Sequence, residues 1–391
     1  MQLGLEALLG DPDRLARLRN RRVAVLAHAA SVTADLTHAL DALAAAGVRP
    51  TCAFGPQHGF LTDAQDNMVE TDHVEDAERG LRVWSLYGDT RRLTEEMLDA
   101  FDVLLVDLQD VGTRIYTFVT TTLWAMEDCA RAGKTLWVLD RPNPAGRTVE
   151  GRFLRPGYES FVGPTRLILR HGLTLGELAR WHARRLDGDF DVVPMRGWSG
   201  GWPAERAWVN PSPNAATPFM PHAYPGTVLL EGTTLSEGRG TTRPLEQLGA
   251  PDLDPVALLA DARRLAPDAF AGAVVRPCAF TPTFHKHAGL LCRGFQLHGD
   301  LPAFDPVRFR PYRIVAAVLK ALRLAHPDYA LWRDFHYEYE RDRLAIDLID
   351  GADALRTWVD DPAAAWEAFE APLLVDEAAW RRERAPFLLY P

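Results

Sequence analysis

The N-terminal half of the chain alternates near-continuous apolar runs with amphipathic stretches, and that alternation leaves few architectures open. Residues 22–28 (RVAVLAH), 49–54, 102–108 (DVLLVDL), 135–139 and 190–194 read as strands. Runs that are apolar at nearly every position are what parallel strands need when helices cover both faces of their sheet. Between them, residues 35–45, 94–100, 117–132 and 174–186 each place apolar side chains on one helical stripe. The pattern predicts an α/β fold, with a doubly wound parallel sheet in the first domain.

The alternation then stops. Six prolines, at 203, 211, 213, 218, 221 and 225, mark an ordered crossover, because each removes a backbone donor and fixes φ. Beyond it, residues 224–230, 295–298 and 344–349 read as strands, and 255–265, 311–325, 363–369 and 377–384 as helices. This predicts a doubly wound α/β domain over residues 1–225 and a smaller α+β domain over 226–391.

Charge and cysteine content narrow the function. Lys and Arg total 43 against 53 Asp and Glu, a net −10, which argues against a broad nucleic-acid surface. The four cysteines form no CxxC pair, so neither a disulfide framework nor a structural zinc site is expected. The first twenty residues carry charges and Pro12, and resemble neither a signal peptide nor a membrane span. A cytoplasmic protein without membrane contact is expected; oligomeric state is left open.

In open α/β sheets ligands bind beyond the carboxyl ends of the strands. Three such ends are rich in functional groups: Gly55-Pro56-Gln57-His58-Gly59-Phe60, residues 107–116, and Asp140-Arg141-Pro142-Asn143-Pro144. Asp107 and Gln109 share one side of a strand end, Asp110 opens the loop, and Arg114 and Tyr116 stand where a helix begins. These groups suit a polyhydroxylated or carboxylated ligand. The bland alternative makes Asp110 a cap and Arg114 the internal partner of Asp107. His58, between two glycines, is placed to face a cleft. Glu150 lies in a second acidic loop, and residues 231–241 combine Glu231, Glu237 and Arg239 with three glycines that permit close backbone approach. His285 and His287 lack a nearby carboxylate, so substrate contact or loop structure is expected there rather than a metal. Gly197-Trp198-Ser199-Gly200-Gly201 matches G-x-S-x-G, but Trp202-Pro203 follows where a nucleophile elbow needs a helix.

Eight strings in order carry a family resemblance: GPQHGF, SLYG (85–88), DLQDVGTRIYTF (107–118), LDRPNP (139–144), HGLTLGELA (171–179), PSPN (211–214), EGTTLSEGRGTT (231–242) and FTPTFHKHAG (280–289). Together they resemble the exo-β-N-acetylmuramidase family (NamZ type, glycoside hydrolase family 171, formerly a domain of unknown function). The resemblance runs from Gly4 nearly to the C-terminus. It implies release of terminal N-acetylmuramic acid from the non-reducing ends of peptidoglycan fragments (MurNAc-GlcNAc type), with no nucleotide or metal cofactor. It also implies a Rossmann-like N-terminal domain, a smaller C-terminal domain and, between them, a cleft lined by Gln57, His58, the 107–116 segment, Glu150, Asn214 and the 231–239 loop. The absence of a leader then points to recycling of internalised fragments.

The family pattern reads GPEHG where this chain has Gln57, and an amide cannot exchange a proton as a carboxyl does. The acid/base role is therefore expected at Glu231 or Asp110, with Gln57 orienting groups or holding the N-acetyl moiety. Arg114 or Arg239 would grip the lactyl carboxylate within a locally basic cleft that also includes Arg141. Two alternatives follow from Gln57: a catalytically silent muropeptide-binding protein, and a glycosidase for a related amino sugar.

Overall fold

The computed structural model describes residues 1–65 and 68–391. Helices α1 (Gly4–Leu9) and α2 (Pro12–Arg19) precede the first strand. The apolar runs become β1 (Val23–Leu26), β2 (Cys52–Gly55), β5 (Val103–Val106), β6 (Thr135–Leu139) and β9 (Asp189–Val193). Two strands absent from the sequence reading, β3 (Val74–Asp76) and β4 (Leu81–Ser85), complete a seven-stranded sheet in the order β3-β4-β2-β1-β5-β6-β9. Every pairing is parallel except β3 with β4. β1, β5 and β6 are buried along their whole length, as a doubly covered sheet requires. The covering helices are α3 (Ala39–Ala45), α4 (Glu95–Asp99), α5 (Phe118–Arg131) and α6 (Leu175–Ala183). The strand order reverses direction beside β1, so the loops after β2 and β5 flank the crevice where such sheets take ligands.

The second half is a smaller domain with a separate sheet. Its three antiparallel strands are β10 (Gln247–Ala250), β11 (Val274–Phe280) and β12 (Cys292–His298), in the order β10-β12-β11. Around it pack α7 (Met220–Thr227), α8 (Pro255–Leu265), α9 (Pro311–Ala325), α10 (Ala345–Asp350), α11 (Ala354–Asp360) and α12 (Trp366–Arg384). A short antiparallel pair, β7 (Glu150–Phe153) with β8 (Ile168–Arg170), lies against α12. One buried cluster runs from Phe54 and Val106 through Leu230 to Ile314 and Trp380, so the two halves share a continuous core. Among the described residues no helix is long and apolar enough to cross a membrane.

Three readings of the second half need correction. Residues 224–230 are not a strand: they end α7 and enter a 3₁₀ turn, Val228–Gly232. Pro221 sits in the first turn of α7, where its missing N–H costs nothing, and Gly226 lets the helix press on the Pro311 backbone. Residues 344–349 form helix α10, stopped by Gly351 at φ 83°. Short runs buried on all sides carry no period that separates strand from helix. Residues 363–369 and 377–384 belong largely to one helix, α12, which continues through Pro372.

Candidate active site

The turn after β2 is set by backbone conformation. His58 and Gly59 both have positive φ (71° and 82°), and a Cβ on Gly55 would lie 2.7 Å from the Phe60 nitrogen. This tight turn presents Gln57 and His58 inward. From the loop after β5, Thr117 donates its hydroxyl to Gln57 Oε1 at 2.6 Å. That bond fixes which way the amide faces, and Gln57 Nε2 donates to Glu338 Oε1 at 3.0 Å.

Glu338 sits at the tip of a two-residue turn closed by Tyr337 and Glu340. Both central residues, Glu338 (φ 46°) and Tyr339 (φ 71°), are left-handed, a conformation that hairpin turns normally give to Asn and Gly. Holding two other residues there costs roughly 1–2 kcal/mol each. Neighbouring contacts maintain it: the Glu338 amide meets Met68 Sδ at 3.3 Å, and the Tyr339 hydroxyl donates to Glu70 at 2.7 Å. The turn aims the Glu338 carboxyl inward, where Tyr87 donates to Oε2 at 2.9 Å. Burial pushes this carboxyl up to about 7, against the bonds from Tyr87 and Gln57 and with help from the negative charge of Glu231.

Glu231 arrives from the 3₁₀ turn and lines the same cavity as Glu338. It accepts from Arg239 Nη2 at 2.5 Å and from the Tyr337 hydroxyl at 2.7 Å. Gln57, His58, Tyr116, Asn214, Glu231, Arg239 and Glu338 all line one cavity, with Tyr224 and Tyr337 among its walls. Its free volume is about 30 Å³, room for water rather than a sugar ring, so occupation by a ring requires side chains to move. A larger cleft of about 670 Å³ holds Ser199, Arg147 and Arg310, with no side-chain carboxyl among the described lining residues. Ser199 lies in a non-helical stretch there, which leaves it without the elbow that a nucleophilic serine needs.

Six of the residues singled out from sequence therefore meet in the cavity: Gln57, His58, Tyr116, Asn214, Glu231 and Arg239. The other eight lie outside its lining. Asp107 is fully buried and paired with Arg141 through two hydrogen bonds, 2.6 and 2.9 Å, so Arg141 contributes no free positive charge. Gln109 donates to the Asp110 and Pro142 carbonyls, and Asp110 accepts from the Gly112 amide. Arg114 is a strut: its guanidinium donates to the carbonyls of Arg152, Leu167, Ile349 and Asp350, tying the two halves together. Burial lowers its pKa to about 10. Glu150 accepts from the backbone of Tyr312 and Arg313 at the start of α9. Glu237 joins Arg239, His285 and Lys286 in a buried ion cluster. Its pKa is below the usual carboxylate range because Lys286, His285 and Arg239 together outweigh burial. His287 meets the Thr234 carbonyl at 2.8 Å and belongs to the same loop scaffold. Among the described residues no group of three or more His, Cys, Asp or Glu side chains is arranged to hold a metal ion.

Sequence reasoning missed Glu338 and its neighbours Tyr87 and Tyr337. Its one local signal was the string Tyr337-Glu338-Tyr339-Glu340, acids interleaved with aromatics outside any periodic segment.

Comparison with known proteins gives a consistent picture. Residues 23–218 match the family model described as "Exo-beta-N-acetylmuramidase NamZ, N-terminal", and residues 222–390 match its C-terminal counterpart. The chain is 38% identical over 335 residues to the peptidoglycan beta-N-acetylmuramidase NamZ of Bacillus subtilis (strain 168), covering 84% of this chain and 78% of that protein. The crystal structure of a DUF1343 family protein from Bacteroides fragilis NCTC 9343 superposes with a TM-score of 0.86 at 28% identity, covering 100% and 99% of the two chains. A second DUF1343 family protein from the same organism gives 0.74 at 24% identity, over 100% and 98%, a likeness of fold alone.

Proposed function

The chain belongs to the exo-beta-N-acetylmuramidase NamZ family, and from that premise we propose that it is a glycoside hydrolase that removes N-acetylmuramic acid from the non-reducing ends of peptidoglycan. Its substrates are saccharide fragments of the MurNAc-GlcNAc type. We keep the division between its two parts near residue 225, so that the site draws Gln57 and Thr117 from one side and Glu231 and Glu338 from the other.

The observation that best supports this reading is the meeting of two carboxyls, Glu231 and Glu338, in one cavity. Breaking a glycosidic bond passes through an oxocarbenium-like state. It needs one group to protonate the leaving oxygen and a negative group to oppose the charge at the anomeric carbon. The two carboxyls differ in the required sense: Glu231 faces the Arg239 guanidinium, whereas the direct partners of Glu338 are neutral donors. Arg239 is the one guanidinium among the described lining residues; it is paired with Glu231 and Glu237, so as the candidate contact for the lactyl carboxylate it would share its donors with them, whereas Arg114 and Arg141 lie outside the lining.

Incubation with the disaccharide MurNAc-GlcNAc and with GlcNAc-MurNAc tests the proposal. Free N-acetylmuramic acid from the first alone is expected. Cleavage of both at similar rates favours a broader amino-sugar glycosidase, and cleavage of neither favours a binding protein.

A further inference from the structure

Building on the hydrolase reading, we infer that the proton donor of this protein is Glu338, supplied by the second half of the chain, and that Gln57 is the positioning residue that aims it. Four observations on independent elements converge here. The amide at position 57 cannot give up a proton to a leaving group, yet it hydrogen bonds directly to a carboxyl that can. Thr117 holds the amide oxygen, so the N–H faces Glu338 and supports it from outside the reacting centre. The strained left-handed turn at Glu338 and Tyr339 is maintained by contacts to Met68 and Glu70, as expected where backbone strain aims a functional side chain. Finally, the carboxyl lines the same cavity as Glu231 without an ion pair of its own among the described residues.

The charged and titratable groups facing Glu338 explain why it keeps a proton near neutrality. Tyr87 and Arg91 approach from the loop after β4, Tyr224 from α7, Glu231 from the 3₁₀ turn, and Tyr337 and Tyr339 from its own turn. Arg91 is drawn away: it stacks on Tyr339 at 3.6 Å and pairs with Glu70. Burial dominates over the bonds from Tyr87 and Gln57, the Glu231 charge adds to it, and the carboxyl is pushed up to about 7.

In the step itself, the bond from the anomeric carbon to the leaving oxygen breaks and its electron pair passes to that oxygen, which takes the Glu338 proton. Glu231, as the carboxylate, opposes the positive charge on the sugar. A water oxygen then bonds to the anomeric carbon, and its proton returns to Glu338. One glycosidic bond and one water yield two hydroxyls, and the carboxyl is restored.

A leaving-group comparison tests this. Two muramides are used, the disaccharide with its poor sugar leaving group and a 2,4-dinitrophenyl β-N-acetylmuramide whose leaving group needs no proton. Glu338→Gln is expected to lose roughly 10²–10⁴-fold in kcat on the disaccharide and far less on the dinitrophenyl sugar. Equal losses on both, or full disaccharide activity, overturn the assignment. Wild type supplies a second readout that needs no variant to fold: its kcat on the disaccharide should fall as pH rises through about 7. Gln57→Glu places a second carboxyl against Glu338, so that limb should move to higher pH; an unmoved limb contradicts the positioning role. If wild type turns over neither muramide, the hydrolase reading fails and the donor fails with it. If wild type is active and the leaving-group pattern is absent, only the donor is lost.

Discussion

Gln57 and Glu338 lie 281 positions apart in the chain and meet through a 3.0 Å hydrogen bond in which the amide donates to the carboxyl. The direction of that bond depends on Thr117, whose hydroxyl occupies the amide oxygen. Thr117→Val removes the hydroxyl at nearly constant volume and frees the amide to turn its oxygen toward Glu338. A loss on the order of tenfold in kcat is expected, about the worth of one hydrogen bond, with KM little changed. Steady-state kinetics on the disaccharide checks it, and a change confined to KM would place Thr117 in ground-state binding instead.

Arg114 offers a contrasting prediction about stability. Its guanidinium satisfies four backbone carbonyls from both halves of the chain, so Arg114→Met should leave them without donors. Unpaired buried polar groups cost roughly 1–3 kcal/mol each, and a total loss above about 3 kcal/mol is expected in denaturant unfolding. The folded fraction should keep its affinity for N-acetylmuramic acid. A stable variant with impaired sugar binding would return Arg114 to the list of ligand contacts.

The buried carboxyl also predicts how stability varies with pH. Glu338 has a folded-state pKa raised to about 7 from an ordinary value near 4.5. Between those limits the folded state binds more protons than the unfolded one. Its contribution to stability therefore falls as pH rises from about 4.5 to about 7 and stays low above that. Glu338→Gln has no proton to lose and should melt higher than wild type at pH 8, by an amount that shrinks toward pH 5. The upper bound is on the order of 3 kcal/mol. Thermal melts at the two pH values decide the matter, and an offset independent of pH would mean that Glu338 does not titrate in this range.

Sequence made the sheet legible because β1 and β5 are apolar at every position and β6 at every position after Thr135, a pattern with one structural solution once helices alternate with the strands. It failed at residues 224–230 and 344–349 because segments buried on all sides carry no period. At the site, Gln57, Glu231 and Arg239 could be singled out because glycines and clustered charge mark their loops. Arg114 and Glu150 carry the same chemistry on paper, yet folding gives their polar groups to buried backbone. Glu338 stayed hidden because its role arises from a long-range contact and an unusual turn, neither of which leaves a local pattern. The net charge of −10 likewise hid how few cations reach the cavity, since most arginines near it are already paired.

The most direct measurement compares kcat/KM for a chromogenic β-N-acetylmuramide and its N-acetylglucosamine counterpart at neutral pH. Two carboxyls in one cavity with Arg239 as its guanidinium predict chromophore release from the muramide, on the order of a hundredfold faster than from the other sugar. Release from neither substrate, or at equal rates from both, would contradict the account.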